Sequence, residues 1–129
     1  MIPGGVRELL ARSRTELDAA RALAEGGFAA QATAHAYYAS FYSAEAALLS
    51  IGETRSKHSG VISAFGRLAV KEGQFDATVG VILRQLFDLR HAATYDDMKV
   101  ERETAASAIA DAARFVGAVE AWLAGRSSA

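Results

Sequence analysis

This chain is predicted to fold as an all-α, antiparallel up-and-down four-helix bundle with one short extra helix, on three observations. Apolar residues recur at three-to-four spacing along most of its length, and glycines punctuate that spacing at short intervals. No stretch shows the alternation of a strand, and no internal repeat appears. With 129 residues, the chain makes one domain around one core, from about residue 6 to residue 124.

The first helix follows Pro3, whose fixed φ suits a first helical turn. Val6, Leu9, Leu10, Leu17, Leu23 and Ala24 form its apolar face until Gly26 and Gly27 stop it. Arg7, Glu8, Arg12, Arg14, Glu16, Asp18 and Arg21 lie opposite, as a solvated side of mixed sign. The second helix runs from about Phe28 to Ile51, with Phe28, Ala32, His35, Tyr38, Tyr42, Ala46 and Leu49 on one stripe, and Gly52 ends it. Between Ala29 and Ile51 the only formal charge is Glu45, so this helix is expected to be buried on most sides and to form the spine of the fold.

Ser56 can cap a shorter third helix through Val61, Ile62, Phe65 and Leu68, closed by Gly73. Asp76 then caps a fourth, whose inward stripe is Val79, Ile82, Leu83, Leu86, Leu89 and Ala93, ending at Tyr95-Asp96-Asp97. A last helix from about Glu101 to Ala124 buries Ala105, Ile109, Ala112, Phe115, Val116, Val119 and Trp122, and the small polar tail from Gly125 is expected to fray.

Composition excludes several classes of function. There is no cysteine, so neither a disulfide nor a thiolate metal site can form. No window approaches the roughly 18 uninterrupted apolar residues of a membrane span, and the N-terminus lacks a secretory leader pattern, so the cytoplasm is expected. Fourteen basic against fifteen acidic residues remove the bulk attraction of a non-specific nucleic-acid binder. Any RNA contact must therefore be local, or assembled across subunits. The three histidines have no metal-ligand spacing, and neither a phosphate-cradling glycine loop nor a serine nucleophile motif is present, so no cofactor is expected.

The remaining enzymatic candidate is Arg90-His91-Ala92-Ala93-Thr94-Tyr95-Asp96-Asp97, where ionisable groups crowd the end of an apolar helix. Arginine offers a planar fork to phosphate oxygens, and histidine can move a proton near neutrality. Alternatively, Arg90 pairs with Asp96 or Asp97 and simply closes the helix. Lys57-His58-Ser59-Gly60 stands at a helix N-terminus able to take a nucleotide phosphate, or else His58 is a surface or half-buried side chain on a helix capped by Ser56. His35 is expected to be a core histidine satisfied by one hydrogen bond. Tyr37, Tyr38 and Tyr42 read as core aromatics with satisfied hydroxyls, and Trp122 as packing.

Ala36-Tyr37-Tyr38-Ala39-Ser40-Phe41-Tyr42, Lys57-His58-Ser59-Gly60-Val61-Ile62-Ser63-Ala64-Phe65 and Leu86-Phe87-Asp88-Leu89-Arg90 running into Ala93-Thr94-Tyr95-Asp96-Asp97 together resemble the HEPN-domain family over nearly the whole chain. The likeness is to small stand-alone members that accompany minimal nucleotidyltransferases. It implies a bundle that forms a homodimer with two copies of an arginine-histidine motif facing across a cleft, where competent members cleave RNA without metal. In such chemistry a histidine helps the ribose 2′-hydroxyl attack its own phosphate while arginine stabilises the added charge.

Carried across, Arg90 matches the motif arginine and His91 the polar residue after it. Tyr95 stands where the later histidine belongs, and a phenol with a pKa of about 10 is a poor general base at neutral pH. Arg84 with His91, two turns apart on one face, is the second fit to the motif. The resemblance supports a toxin-type protein acting on or binding RNA through Arg90 and His91, with Tyr95 and Asp96 positioning them, and with a neighbouring nucleotidyltransferase as antitoxin. The alternative is a non-catalytic subunit that helps such a nucleotidyltransferase hold its nucleotide or substrate, with Tyr95 as a target of modification by the partner. A scaffold that dimerises without ligand is a third reading.

Overall fold

A computed structural model describes residues 4–54, 57–96 and 98–127. The described residues contain helices and no strand: α1 (Gly4–Glu25), α2 (Ala29–Ser50), α3 (His58–Gly66), α4 (Ala77–Gly80), α5 (Ile82–Tyr95) and α6 (Arg102–Ser127). The expected all-helical class therefore holds.

The first two boundaries lie at the glycines. After α1 the amides of Gly26, Gly27 and Phe28 bond back to Ala22, Ala24 and Leu23, while Gly27 takes φ +88°, a left-handed conformation that costs glycine little. Gly52 does the same after α2 at φ +79°. Between these turns α2 is the spine, packed against α1, α3, α5 and α6. Ala32, Ala36, Tyr37, Ala39, Ala44, Ala46 and Ala47 are fully inaccessible on it, and its alanines let these neighbouring helices approach closely. The stripe read from the sequence is buried only in part: Ala32 and Ala46 are inaccessible, His35, Tyr38, Tyr42 and Leu49 are half-buried, and Phe28 is exposed. A helix that is apolar all round has no single face for periodicity to find.

The third helix is shorter than expected. Its N-cap position is Lys57, extended at φ −110° and ψ 146° with no side-chain cap bond; Ser56 lies outside the described residues. Beyond Gly66 the pitch widens into one π-helical turn, Arg67–Lys71, which still buries Leu68 and Ala69. Asp76 caps as expected, accepting from the Thr78 amide at 2.8 Å. The helix it starts is nonetheless interrupted at Val81, dividing α4 from α5. Gly80 next to β-branched Val79, Val81 and Ile82 is the weakest helical stretch of that segment. The tail from Gly125 does not fray within the described residues: α6 continues to Ser127, with the Arg126 guanidinium 4.7 Å from the centre of the Trp122 ring.

Phe115, Val116 and Val119 of α6, Leu83 of α5, Phe65 and Val61 of α3, and Leu17 of α1 meet α2 in one core with almost no accessible surface. Each buried side chain of this size contributes about 1.5–3 kcal/mol. The side of α1 expected to be purely solvated is in part an interhelical seam. Arg14 pairs with Glu120 of α6, Arg12 bonds the Tyr42 hydroxyl at 2.9 Å, and Glu16 pairs with His35 at 2.5 Å. His35 is thus a rim residue held by a carboxylate, and not the core histidine that was expected. Among the described residues, no buried side-chain polar atom lacks a hydrogen-bond partner.

Candidate functional site

Consecutive residues on a helix point about 100° apart, so the two basic groups that are adjacent in sequence, Arg90 and His91, separate in space. Arg90 turns towards α2. Its guanidinium carbon lies 5.2 Å from the centre of the Tyr38 ring and 5.6 Å from that of Tyr37. These contacts with the two aromatic rings hold the cation beside α2, and a guanidinium keeps five N–H donors for a ligand. Among the described residues the ion pairs join other groups and none takes Arg90, so it does not close the helix by pairing with Asp96. Asp97, its other proposed partner, lies outside the described residues.

Beneath this shelf a second histidine comes into play. Tyr37 is fully buried, and its hydroxyl lies 2.9 Å from Nδ1 of His58, the first residue of α3. The His58 ring stacks on Phe41 with centroids 4.1 Å apart and planes 26° apart. Burial pushes the Tyr37 phenol well above its usual range, against the pull of Arg90. Burial, with a smaller contribution from the Arg90 charge, pulls His58 below the ordinary imidazole value and favours the neutral ring. His58 is still accessible, as are Lys57 and Ser59 beside it. The structure therefore unites two segments that the sequence presented as separate candidates: the start of α3 and the end of α5 converge on Tyr37.

His91 and Tyr95 take the outer side of α5. The His91 ring lies 4.8 Å from Tyr95 and 6.3 Å from Phe87, making a column one turn apart at each step. Phe87 in turn meets Tyr37 at 5.7 Å, so the outer column and the Arg90 shelf share a wall. Tyr95 is 66% exposed, more than any other large hydrophobic side chain among the described residues. Asp96 is exposed beyond the end of α5, where its amide bonds the Ala92 carbonyl at 3.0 Å. Arg84 is exposed and, six residues before Arg90, is rotated by about 240° away from it. It shares a side with His91 and stays outside the Arg90 shelf.

Sequence reasoning treated Tyr37, Tyr38 and Tyr42 as core alone. Tyr37 is core, with its hydroxyl satisfied as expected, but it is also the link between Arg90 and His58. Among the described residues, no group of three or more acidic, histidine or cysteine side chains is placed to hold a metal ion.

This architecture agrees with comparison to known proteins, because the HEPN domain family matches residues 6–122. The chain belongs to the HEPN family. A Methanocaldococcus jannaschii protein named "Putative toxin MJ0605" is 36% identical over 115 residues, covering 89% of this chain and 86% of its own length. A UPF0332 protein of Thermotoga maritima is 36% identical over 110 residues, 84% of this chain and 83% of its own. A second M. jannaschii protein, "Putative toxin MJ0142", is 27% identical over 101 residues, 78% of this chain and 69% of its own. In this HEPN domain the family match takes in every element that builds the Arg90 shelf, from α2 through α3 to α5. No helix among the described residues is long and apolar enough to cross a membrane.

Proposed function

We propose that this HEPN protein is of the toxin type and acts on RNA at a cleft between two copies of the chain, under the control of a nucleotidyltransferase antitoxin. The observation that carries the reading is Arg90, held over the rings of Tyr37 and Tyr38 with no carboxylate paired to it among the described residues. A guanidinium fixed this way has its N–H fork ready for the two oxygens of a phosphodiester. His58 borders the same place through Tyr37, with Lys57 and Ser59 beside it in the chain, and His91 and Tyr95 line the outer side of α5 next to it through Phe87. Two relatives carrying the word toxin in their names support the biological role. The exposed Tyr95 and Met98 at this end of the molecule support contact with a second copy.

Incubation of the purified protein with tRNA and mRNA, beside Arg90→Ala, tests the reading. Cleavage by the wild type that is lost in the variant is expected. Equal cleavage by both proteins, or none by either, contradicts it.

One observation favours a second reading. Tyr95 presents its phenol to solvent beside His91, as an acceptor for group transfer must. In that case the HEPN chain is a substrate and binding subunit of its nucleotidyltransferase. Mass spectrometry after co-expression with the adjacently encoded nucleotidyltransferase decides the matter: a nucleotide mass added at Tyr95 supports this reading, and an unmodified Tyr95 counts against it.

A further inference from the structure

We propose that His58, oriented by Tyr37, is the proton-transfer residue that works with Arg90 in RNA cleavage, taking the part that Tyr95 cannot play. The inference rests on the RNA-cleaving reading above and names a residue from a different helix than the one that carries Arg90.

Two contacts fix the imidazole, and a third ties its partner Tyr37 to Arg90. Nδ1 is held at 2.9 Å by the Tyr37 hydroxyl, one face is covered by Phe41 at 4.1 Å, and Tyr37 itself carries the guanidinium of Arg90 at 5.6 Å. Nε2, across the ring from Nδ1, is the nitrogen left for a substrate. A phenol is both donor and acceptor, so Tyr37 can satisfy either neutral tautomer of His58 and stay bonded when the ring is protonated. The groups whose charge or polarity faces His58 are Tyr37 from α2 and Arg90 from α5, with Lys57 preceding it in the chain. Among the described residues, none of these groups is a carboxylate. Burial and, to a smaller extent, the Arg90 charge keep the ring neutral and free to accept a proton, and the phosphate that Arg90 binds offsets that charge when substrate arrives.

The step balances without a metal or redox partner. The 2′-oxygen bonds to phosphorus as its proton passes to Nε2 of His58, and the bond from phosphorus to the 5′-oxygen breaks. The departing oxygen takes a proton from water, and the imidazolium returns its proton to the hydroxide so formed. The products are a 2′,3′-cyclic phosphate and a 5′-hydroxyl.

The test uses the full chain and a short single-stranded RNA with a fluorescent reporter, assayed from pH 5 to pH 9. His58→Gln is expected to lower kcat by about 10²–10⁴-fold with little change in KM. It is also expected to abolish the acidic limb of the wild-type profile, which lies below the ordinary imidazole pKa of about 6.5. His58→Gly is expected to regain activity when imidazole is added to the buffer, a response that a purely structural role does not give. Tyr37→Phe is expected to lower kcat and move the acidic limb, as befits a positioning residue. Wild-type rates in His58→Gln, with Arg90→Ala inactive, overturn the role of His58 and leave the RNA-cleaving reading standing. Equal rates in wild type and Arg90→Ala, or no cleavage at all, overturn both.

Discussion

Arg90 of α5 is held in place by aromatic faces, and the one charge of the spine helix, half-buried Glu45, is treated quite differently. Glu45 lines a cavity of about 170 Å³ together with Leu9, Leu48, Leu49 and Val61. Burial raises its carboxyl pKa, with Arg12 opposing. A carboxyl raised in the folded state favours folding only while it is protonated, and that contribution is lost as pH rises through the folded value. Glu45→Gln is therefore expected to raise the urea midpoint at pH 7, with the gain shrinking towards pH 4; a lower midpoint at pH 7 contradicts the assignment. Glu45 was legible in the sequence as the lone charge of its helix. Arg90 and its neighbours were legible as a cluster at a helix end, and His58 as a residue at a helix start. What the sequence could not show is that Arg90 and His91 diverge, or that Tyr37 joins Arg90 to His58, because both depend on how α3 and α5 are rotated about their axes against α2.

At the level of helices, the stops were the clearest signals, since Gly27, Gly52 and Gly73 each adopt positive φ and leave little choice of boundary. Asp76 was equally plain. It accepts from both the amide and the hydroxyl of Thr78, and Arg114 of α6 reaches the same hydroxyl. Asp76→Ala is expected to cost about 1 kcal/mol in urea denaturation, whereas Phe115→Ala, in the middle of α6 and packed on Phe65, is expected to cost about 3–5 kcal/mol. Equal losses in the two variants would contradict a core centred on the α2–α6 contact. The break at Val81 and the π-helical turn after Gly66 were not legible. Both fall where helix propensity is weak and neighbouring helices decide the geometry. The burial of α2 on most sides was legible, but which residues of its stripe are most buried was not, because α1, α3, α5 and α6 surround a helix with no polar side to set its rotation.

For the molecule as a whole, a nearly neutral chain binds RNA only if local groups are concentrated, and a second copy doubles them at one cleft. The absence of cysteine makes this easy to probe, because Tyr95→Cys introduces one thiol at an exposed position. A short bismaleimide is expected to join two such chains into a covalent dimer; chains that remain 13.6 kDa monomers at every concentration contradict a cleft at this end. The fold and family of the molecule followed from its patterning and ordered blocks of residues, while its chemistry depends on a shelf assembled from three helices. That shelf is best interrogated by nuclear magnetic resonance, titrating the protein with a 2′-O-methyl RNA oligomer that binds without being cleaved. The account predicts that the Arg90 Nε–Hε signal and the His58 ring signals move together, saturate, and return as salt is added. RNA-dependent shifts on another face, with Arg90 and His58 unmoved, would contradict it.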